Sequence, residues 1–379
     1  MIQLPFSEEL NIGYLSRILD PDRTTNCYKF FWFQAILNKL SPEHTRFTYD
    51  ELINEMIADA WYMVTEYHLH LGPCGVKDNL EDAVKYIGSI MPFHSSEKRE
   101  VILAYLEGCD DRNLISYKRE LIKNVPYWLQ SPFFDEIKIE KKEKNKPQIL
   151  TQKINQQRRL LYYFELFQQM STPIRMNDEW VPYLIKNKEI LKGWLQFKLI
   201  HYLQSRNPSV PGIADKIIPP QNRKLDKVRD YWKLIINLRP ETRDIYGNIE
   251  LADQKISVDH FVPWQYVAHD ELWNLHPTTN SINSSKSNNL PVWDKYFSQL
   301  AKLEYQSYEL SKENEAVRSS FDNIAKYHLN SAEIAKELYC DGLSEDDFSN
   351  RLYNVIHPVY DAARNSGFRE WEYEVRSCQ

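Results

Sequence analysis

The chain has 379 residues and a mass of 45.2 kDa, with 42% hydrophobic and 26% charged residues. That is room for two or three domains whose cores need no metal or disulfide. An aromatic content of 13% excludes a disordered chain, and a count of only 10 glycines excludes glycine-built repeats. The net charge of −6 is uneven: residues 138–243 hold 22 Lys and Arg against 10 Asp and Glu, a net of +12, so the remainder carries −18. A basic middle between acidic flanks suits a phosphate-binding surface, or else a set of solvated Lys-rich helix faces.

No apolar run reaches the ~18 residues of a membrane helix. The opening residues 1–9 carry acid early and have no basic leader, so a cytoplasmic protein with no membrane partner is expected. Cys27, Cys74, Cys109, Cys340 and Cys378 are scattered, with no C-x-x-C pair. This fits a reducing compartment and offers no cysteine zinc site. P-loop, dinucleotide-binding and zincin signatures are absent, which removes the main support for those chemistries.

Residues 1–136 read as a helical domain. Tyr28, Phe31, Trp32, Ala35 and Ile36 recur at helical spacing within 24–40, with Thr24 or Thr25 as the expected cap. Thr48 with Glu51 is a capping-box pattern opening the next helix. Amphipathic stretches follow near 80–90, 97–106 and 114–122, and their aromatic stripes read as core.

Residues 137–243 form a basic segment, a candidate nucleic-acid-binding region. In it 136–150 reads as a charged hairpin or exposed loop, 180–205 as a helix, 207–223 as a proline-rich extended stretch and 225–238 as a helix. Lys141, Lys142, Lys144, Lys146, Arg223, Lys224 and Lys227 are its candidate phosphate contacts. Residues 292–379 are helical and acidic.

Residues 244–291 break the helical pattern. Tyr246-Gly247-Asn248 signals a turn and Lys255–Val258 is a β run, so a hairpin is expected. The run ends in Asp259-His260, with Pro263 just beyond. Asn274 follows His260 by 14 positions, Asn283 follows Asn274 by 9, and Lys286 lies three further on. A short helix over 278–287 sets Asn283 and Lys286 on one face.

These residues resemble the HNH family, also called the ββα-metal or His-Me finger. The extended form, D-H-F-V-P followed by N-S-S-K-S-N-N-L-P, is similar to the finger of RNA-guided CRISPR nucleases and of stand-alone bacterial HNH endonucleases. The resemblance implies an α+β fold, mostly α-helical, with one small ββα-metal finger near the C-terminal third. It implies Mg²⁺, with Mn²⁺ as a substitute, held by Asp259 and Asn283. His260 is then the catalytic base, Asn274 the middle residue that holds the loop, and Lys286 a point charge on a phosphate.

The chemistry suits those residue types. A neutral imidazole titrates near ~6.5 and takes a proton from water at neutral pH. Carboxylate and amide oxygens are the hard ligands Mg²⁺ prefers, and two suffice because it keeps waters. Strand alternation sets Asp259 and His260 on opposite faces, so the strand must twist or end there. Where the zinc-knuckle branch of the family places cysteines, this chain has Tyr246, Thr279 and Ile282. A structural zinc is therefore not expected; the helical flanks must brace the finger, with Pro291 ending its helix. His269 and His276 lie off the motif and read as loop. Trp264, Trp273 and Trp293 read as packing, and His68 and His70 as structural.

The function implied is a metal-dependent DNA endonuclease that nicks one strand per active site. The resemblance further implies bacterial restriction or anti-phage defence, with partner subunits of such a system. An RNA nuclease is the first alternative, since nothing in the motif reads a 2′-hydroxyl. A catalytically inactive nucleic-acid- or partner-binding module is the second. The oligomeric state is not legible.

Overall fold

The computed structural model describes residues 3–73, 75–134, 137, 139–140, 143, 146–217, 225–267 and 269–374. Two compact units divide the chain, Met1–Pro208 with Lys216–Pro219, and Ser209–Asp215 with Pro220–Gln379. The basic segment is thus shared between them. Of its candidate contacts, Lys141, Lys142, Lys144, Arg223 and Lys224 lie outside the described residues, while Lys146 and Lys227 are exposed.

At the centre of the first unit is the helix Tyr28–Lys39, in which Phe30, Phe31, Trp32, Phe33, Ala35, Ile36 and Leu37 are all buried. A helix apolar on every side belongs in a core. Its N-cap is Cys27, whose side chain makes no capping bond. The expected cap Thr24 instead donates to the Asp20 carbonyl. The helix Tyr49–Thr65 opens as expected: Glu51 N–H donates to Thr48 Oγ1 at 3.2 Å, and Thr48 N–H to Glu51 Oε2 at 2.7 Å.

Three strands were not foreseen: β1 (Arg46–Thr48), β2 (Tyr162–Phe164) and β3 (Pro173–Met176). They pair antiparallel in the order β1-β3-β2, with Phe47 and Phe164 both facing Ile174. Runs of three or four residues are too short to show alternation. The hairpin or loop expected over 136–150 falls largely outside the described residues, and its end is corrected, because a helix runs Pro147–Asn155. Pro147 opens it, where a missing N–H costs nothing.

In the second unit the helix Asp226–Leu238 lays Val228, Tyr231, Trp232, Ile235 and Ile236 against β4 (Ile256–His260) and β5 (Leu275–Thr279). Trp232 Nε1–H donates to the Leu275 carbonyl at 3.1 Å. β4 and β5 are antiparallel, running from Ile256 opposite Thr279 to His260 opposite Leu275. The hairpin expected at Tyr246 is corrected accordingly. The turn there forms no strand pair: it has an isolated bridge between Arg243 and Glu250, with Asp244 N–H donating to the Ile249 carbonyl at 2.8 Å and Leu251 N–H to the Thr242 carbonyl at 3.0 Å. Asn248 takes a φ of 53° in it, a left-handed position that Asn tolerates.

The helix Asn280–Lys286 follows β5, capped by Thr279 Oγ1, which accepts Ile282 N–H at 3.3 Å. It ends at Ser287, whose φ is 48°, and not at Pro291. Pro291 lies in β6 (Leu290–Pro291), which pairs parallel with β7 (Glu370–Trp371). The helices Trp293–Glu313, Glu315–His328, Ala332–Leu338 and Glu345–Asn365 share one core with the finger. In it Leu300, Val317, Leu338, Phe348 and Ile356 join Phe261, Leu275 and Ile282. Trp264 and Trp273 are buried, and Trp293 stacks on Phe297 at 4.5 Å, so all three pack. The fold is α+β, mostly helical with a small ββα finger, as expected. Among the described residues no helix is long and apolar enough to cross a membrane.

Candidate active site

The site begins on β4. Asp259 stands directly opposite His276 on β5, so the two side chains share a face. Tyr246 Oη–H donates to Asp259 Oδ2 at 2.8 Å. Lys286 Nζ lies 3.1 Å from Oδ2 and 3.3 Å from Oδ1, and donates to the His260 carbonyl at 2.7 Å. Burial pushes the Asp259 carboxyl up more than any single neighbour lowers it, but Lys286, His276, the Tyr246 hydroxyl and His260 together hold the group below its ordinary value. Burial in turn lowers Lys286, and Asp259 offsets only part of that. The expectation that Lys286 meets a phosphate is not what this structure contains: the side chain is wholly buried and its ammonium faces Asp259.

The turn that aims Tyr246 is organised by Asp244. Its Oδ1 accepts Thr278 Oγ1–H at 2.6 Å, and its Oδ2 accepts the backbone N–H groups of Tyr246 and Gly247. A Cβ on Gly247 would come within 2.9 Å of the Tyr373 ring and 3.1 Å of Ile282, so any larger residue there must displace those side chains.

His276 is the second surprise. It is wholly buried, with Nε2 3.7 Å from Asp259 Oδ2 and no hydrogen-bond partner on either ring nitrogen among the described residues. Burial drives the imidazole down to about 3, so it is neutral at pH 7. An unfolded imidazole protonates near ~6.5. Between those values the unfolded state binds the extra proton, so stability present above ~6.5 is lost as pH falls toward 3. The limiting slope is roughly 1.4 kcal/mol per pH unit. In metal-free buffer, His276→Gln is expected to flatten the decline of unfolding free energy between about pH 6.5 and 4. Parallel declines for both proteins in urea titrations would refute this.

His260 closes β4 and takes a different partner: Nε2 is 2.8 Å from Asp270 Oδ1, with side chains 6% and 19% exposed. Asp259 and His260 thus diverge, as strand alternation demands. Asn274, 1% exposed, grips the chain just after His260. Its Nδ2 donates to the Val262 carbonyl at 2.9 Å, and its Oδ1 accepts Val262 N–H at 2.7 Å. Asn283 spends its amide N–H₂ on Ser257 Oγ at 2.7 Å and the Val258 carbonyl at 3.3 Å. Its carbonyl oxygen is then the ligand it offers.

Residues 242–292 match the family model of the HNH endonucleases. This segment is an HNH domain. No curated protein and no solved structure matches the chain. The HNH segment takes in the Tyr246 turn, β4, β5, the finger helix and β6, while the helices after Trp293 lie outside it.

HNH nucleases typically use divalent metal ions, and the donor set here fits one. Asp259 is kept ionised and already accommodates a cation, the Lys286 ammonium. Asn283 adds a second hard oxygen. Among the described residues no three His, Cys, Asp or Glu side chains gather as a metal cluster. Sequence reading passed over Tyr246, His276 and Asp270 as site residues. Only the β4–β5 register reveals His276, and no local pattern marks Asp270.

Proposed function

We propose that the HNH domain hydrolyses phosphodiester bonds of DNA in a Mg²⁺-dependent reaction, Mn²⁺ substituting, one strand at a time. The observation that carries this reading is the motif placed on the ββα finger: His260 at the end of β4, an ionised Asp259 beside it, and Asn283 on the helix packed against β4. His260 takes the proton of the attacking water. Asn274 fixes the backbone that follows it. Lys286 keeps Asp259 charged. Asp259 and Asn283 would hold the metal, which supplies Lewis-acid stabilisation of charge on the phosphate.

A substrate path is offered where β4 begins. A cleft of about 570 Å³ is lined there by Arg229, Lys233, Gln254, Lys255 and Asn280. Arg229 pairs with Asp226 and Lys233 with Asp230 in exposed i,i+3 contacts, which are weak enough for phosphates to replace. Each phosphate contact adds about −0.9 to the slope of log K against log salt on duplex DNA. Replacing Arg229, Lys233 and Lys255 together with Gln is expected to make that slope shallower by about 2–3. An unchanged slope in fluorescence-anisotropy titrations would reduce the cleft to a solvated face.

The test of function is a time course on supercoiled plasmid. Nicked circles are expected before linear product, and none in EDTA. The second cut needs a reoriented protein or a second copy on a two-fold axis. Cleavage of structured RNA but not DNA would overturn the substrate, and binding without cleavage in Mg²⁺ and Mn²⁺ would overturn the enzyme. A place in restriction or anti-phage defence rests on the resemblance alone. Phage plating efficiency on cells with and without the active protein tests it.

A further inference from the structure

We infer that Asp270 is a positioning residue that presents His260 to the reaction in one tautomer and one orientation. This rests on the nuclease reading of His260. The observation is the 2.8 Å contact between His260 Nε2 and Asp270 Oδ1, made between two largely buried side chains. An ionised carboxylate only accepts hydrogen bonds, so with Asp270 ionised this contact selects the tautomer in which Nε2 carries the proton and Nδ1 does not. A charge-assisted bond away from bulk water also resists ring rotation. When the ring takes up a proton, the carboxylate faces the imidazolium it has become.

The loop that delivers Asp270 is held from outside the HNH segment. His328 Nδ1–H donates to the Asp270 carbonyl at 3.1 Å. The next residue, Glu271, accepts Asn330 Nδ2–H at 2.7 Å and Asn330 N–H at 3.3 Å. Asn274 N–H returns to the Glu271 carbonyl at 2.9 Å. These anchors use the Asp270 carbonyl and the Glu271 carboxylate and carbonyl, not the Asp270 carboxylate. Side-chain variants at Asp270 therefore leave the loop in place, and their melting temperatures are expected to match wild type.

With plasmid substrate, Asp270→Ala and Asp270→Asn are expected to lower kcat by about 10–100-fold, the scale of lost second-layer support. KM and the Mg²⁺ concentration for half activity should stay within about two-fold. A purely structural role would not produce that split. The independent readout is ¹⁵N NMR of histidine-labelled protein near pH 8, where an ordinary imidazole is neutral, with His260→Ala identifying the resonances. Wild type should show the Nε2–H tautomer at His260, and Asp270→Ala a mixture. An Nδ1–H tautomer in wild type, or kcat in either variant equal to or above wild type, overturns the proposal. The latter result would make the contact a latch that holds the ring away. If the wild-type protein cuts no nucleic acid at all, the nuclease reading fails, while the tautomer still decides the contact.

Discussion

His260→Ala is expected to lower cleavage by ~10²–10⁴-fold, the usual cost of losing a general base, while duplex binding stays within a few-fold of wild type. The side chain closes β4, and the described contacts tie its ring to Asp270. The basic cleft is lined at the start of β4, by Arg229, Lys233 and Lys255 and not by His260. Removing it should therefore leave binding largely untouched. Anisotropy titrations beside plasmid cleavage read both quantities. A His260→Ala protein that cuts at near wild-type rate would remove it from the reaction.

The second large effect concerns Asp259 and Lys286, whose side chains are 6% and 0% exposed. Removing one member of a buried ion pair strands the other, at a cost of about 3–5 kcal/mol, whereas replacing both by neutral groups is often close to neutral. Asp259→Asn and Lys286→Met are each expected to fall in that range in metal-free urea unfolding. The double variant should recover most of the loss, a coupling that a double-mutant cycle measures. Single losses below about 1 kcal/mol would mean that the pair is solvated. Cleavage should vanish in both proteins lacking Asp259. Asn283→Ala should chiefly raise the Mg²⁺ needed for half activity.

What was legible in advance depended on chain distance. Asp259, His260, Asn274, Asn283 and Lys286 fall within one short stretch, at spacings set by a strand, a loop and a helix, so their pattern survives as text. The buried helix Tyr28–Lys39 and the Thr48 capping box were legible for a similar reason, being local. Tyr246 and His276 act only across the fold, one from a turn and the other from the facing strand. The direction of Lys286 was misread because a cation beside an HNH motif suggests a phosphate. Its burial against Asp259 becomes visible only when the helix is laid on β4. The strand β1 is defined by a partner more than 100 residues away in β3, and β1, β2 and β3 are each too short to carry a signature of their own.

The short parallel pair β6–β7 sets the order in which the protein can be completed. Leu290 N–H bonds to the Arg369 carbonyl at 2.8 Å and Val292 N–H to the Trp371 carbonyl at 3.0 Å. The Tyr360 hydroxyl donates to the Pro291 carbonyl at 2.9 Å. The edge leaving the finger helix is thus finished by chain some 80 positions downstream. At ~5–20 residues per second of synthesis, that edge waits roughly 4–16 s for its partner after the HNH segment has been made. A nascent chain in that interval carries the whole motif without the strand that closes it, and an excised 242–292 fragment stays in that condition permanently.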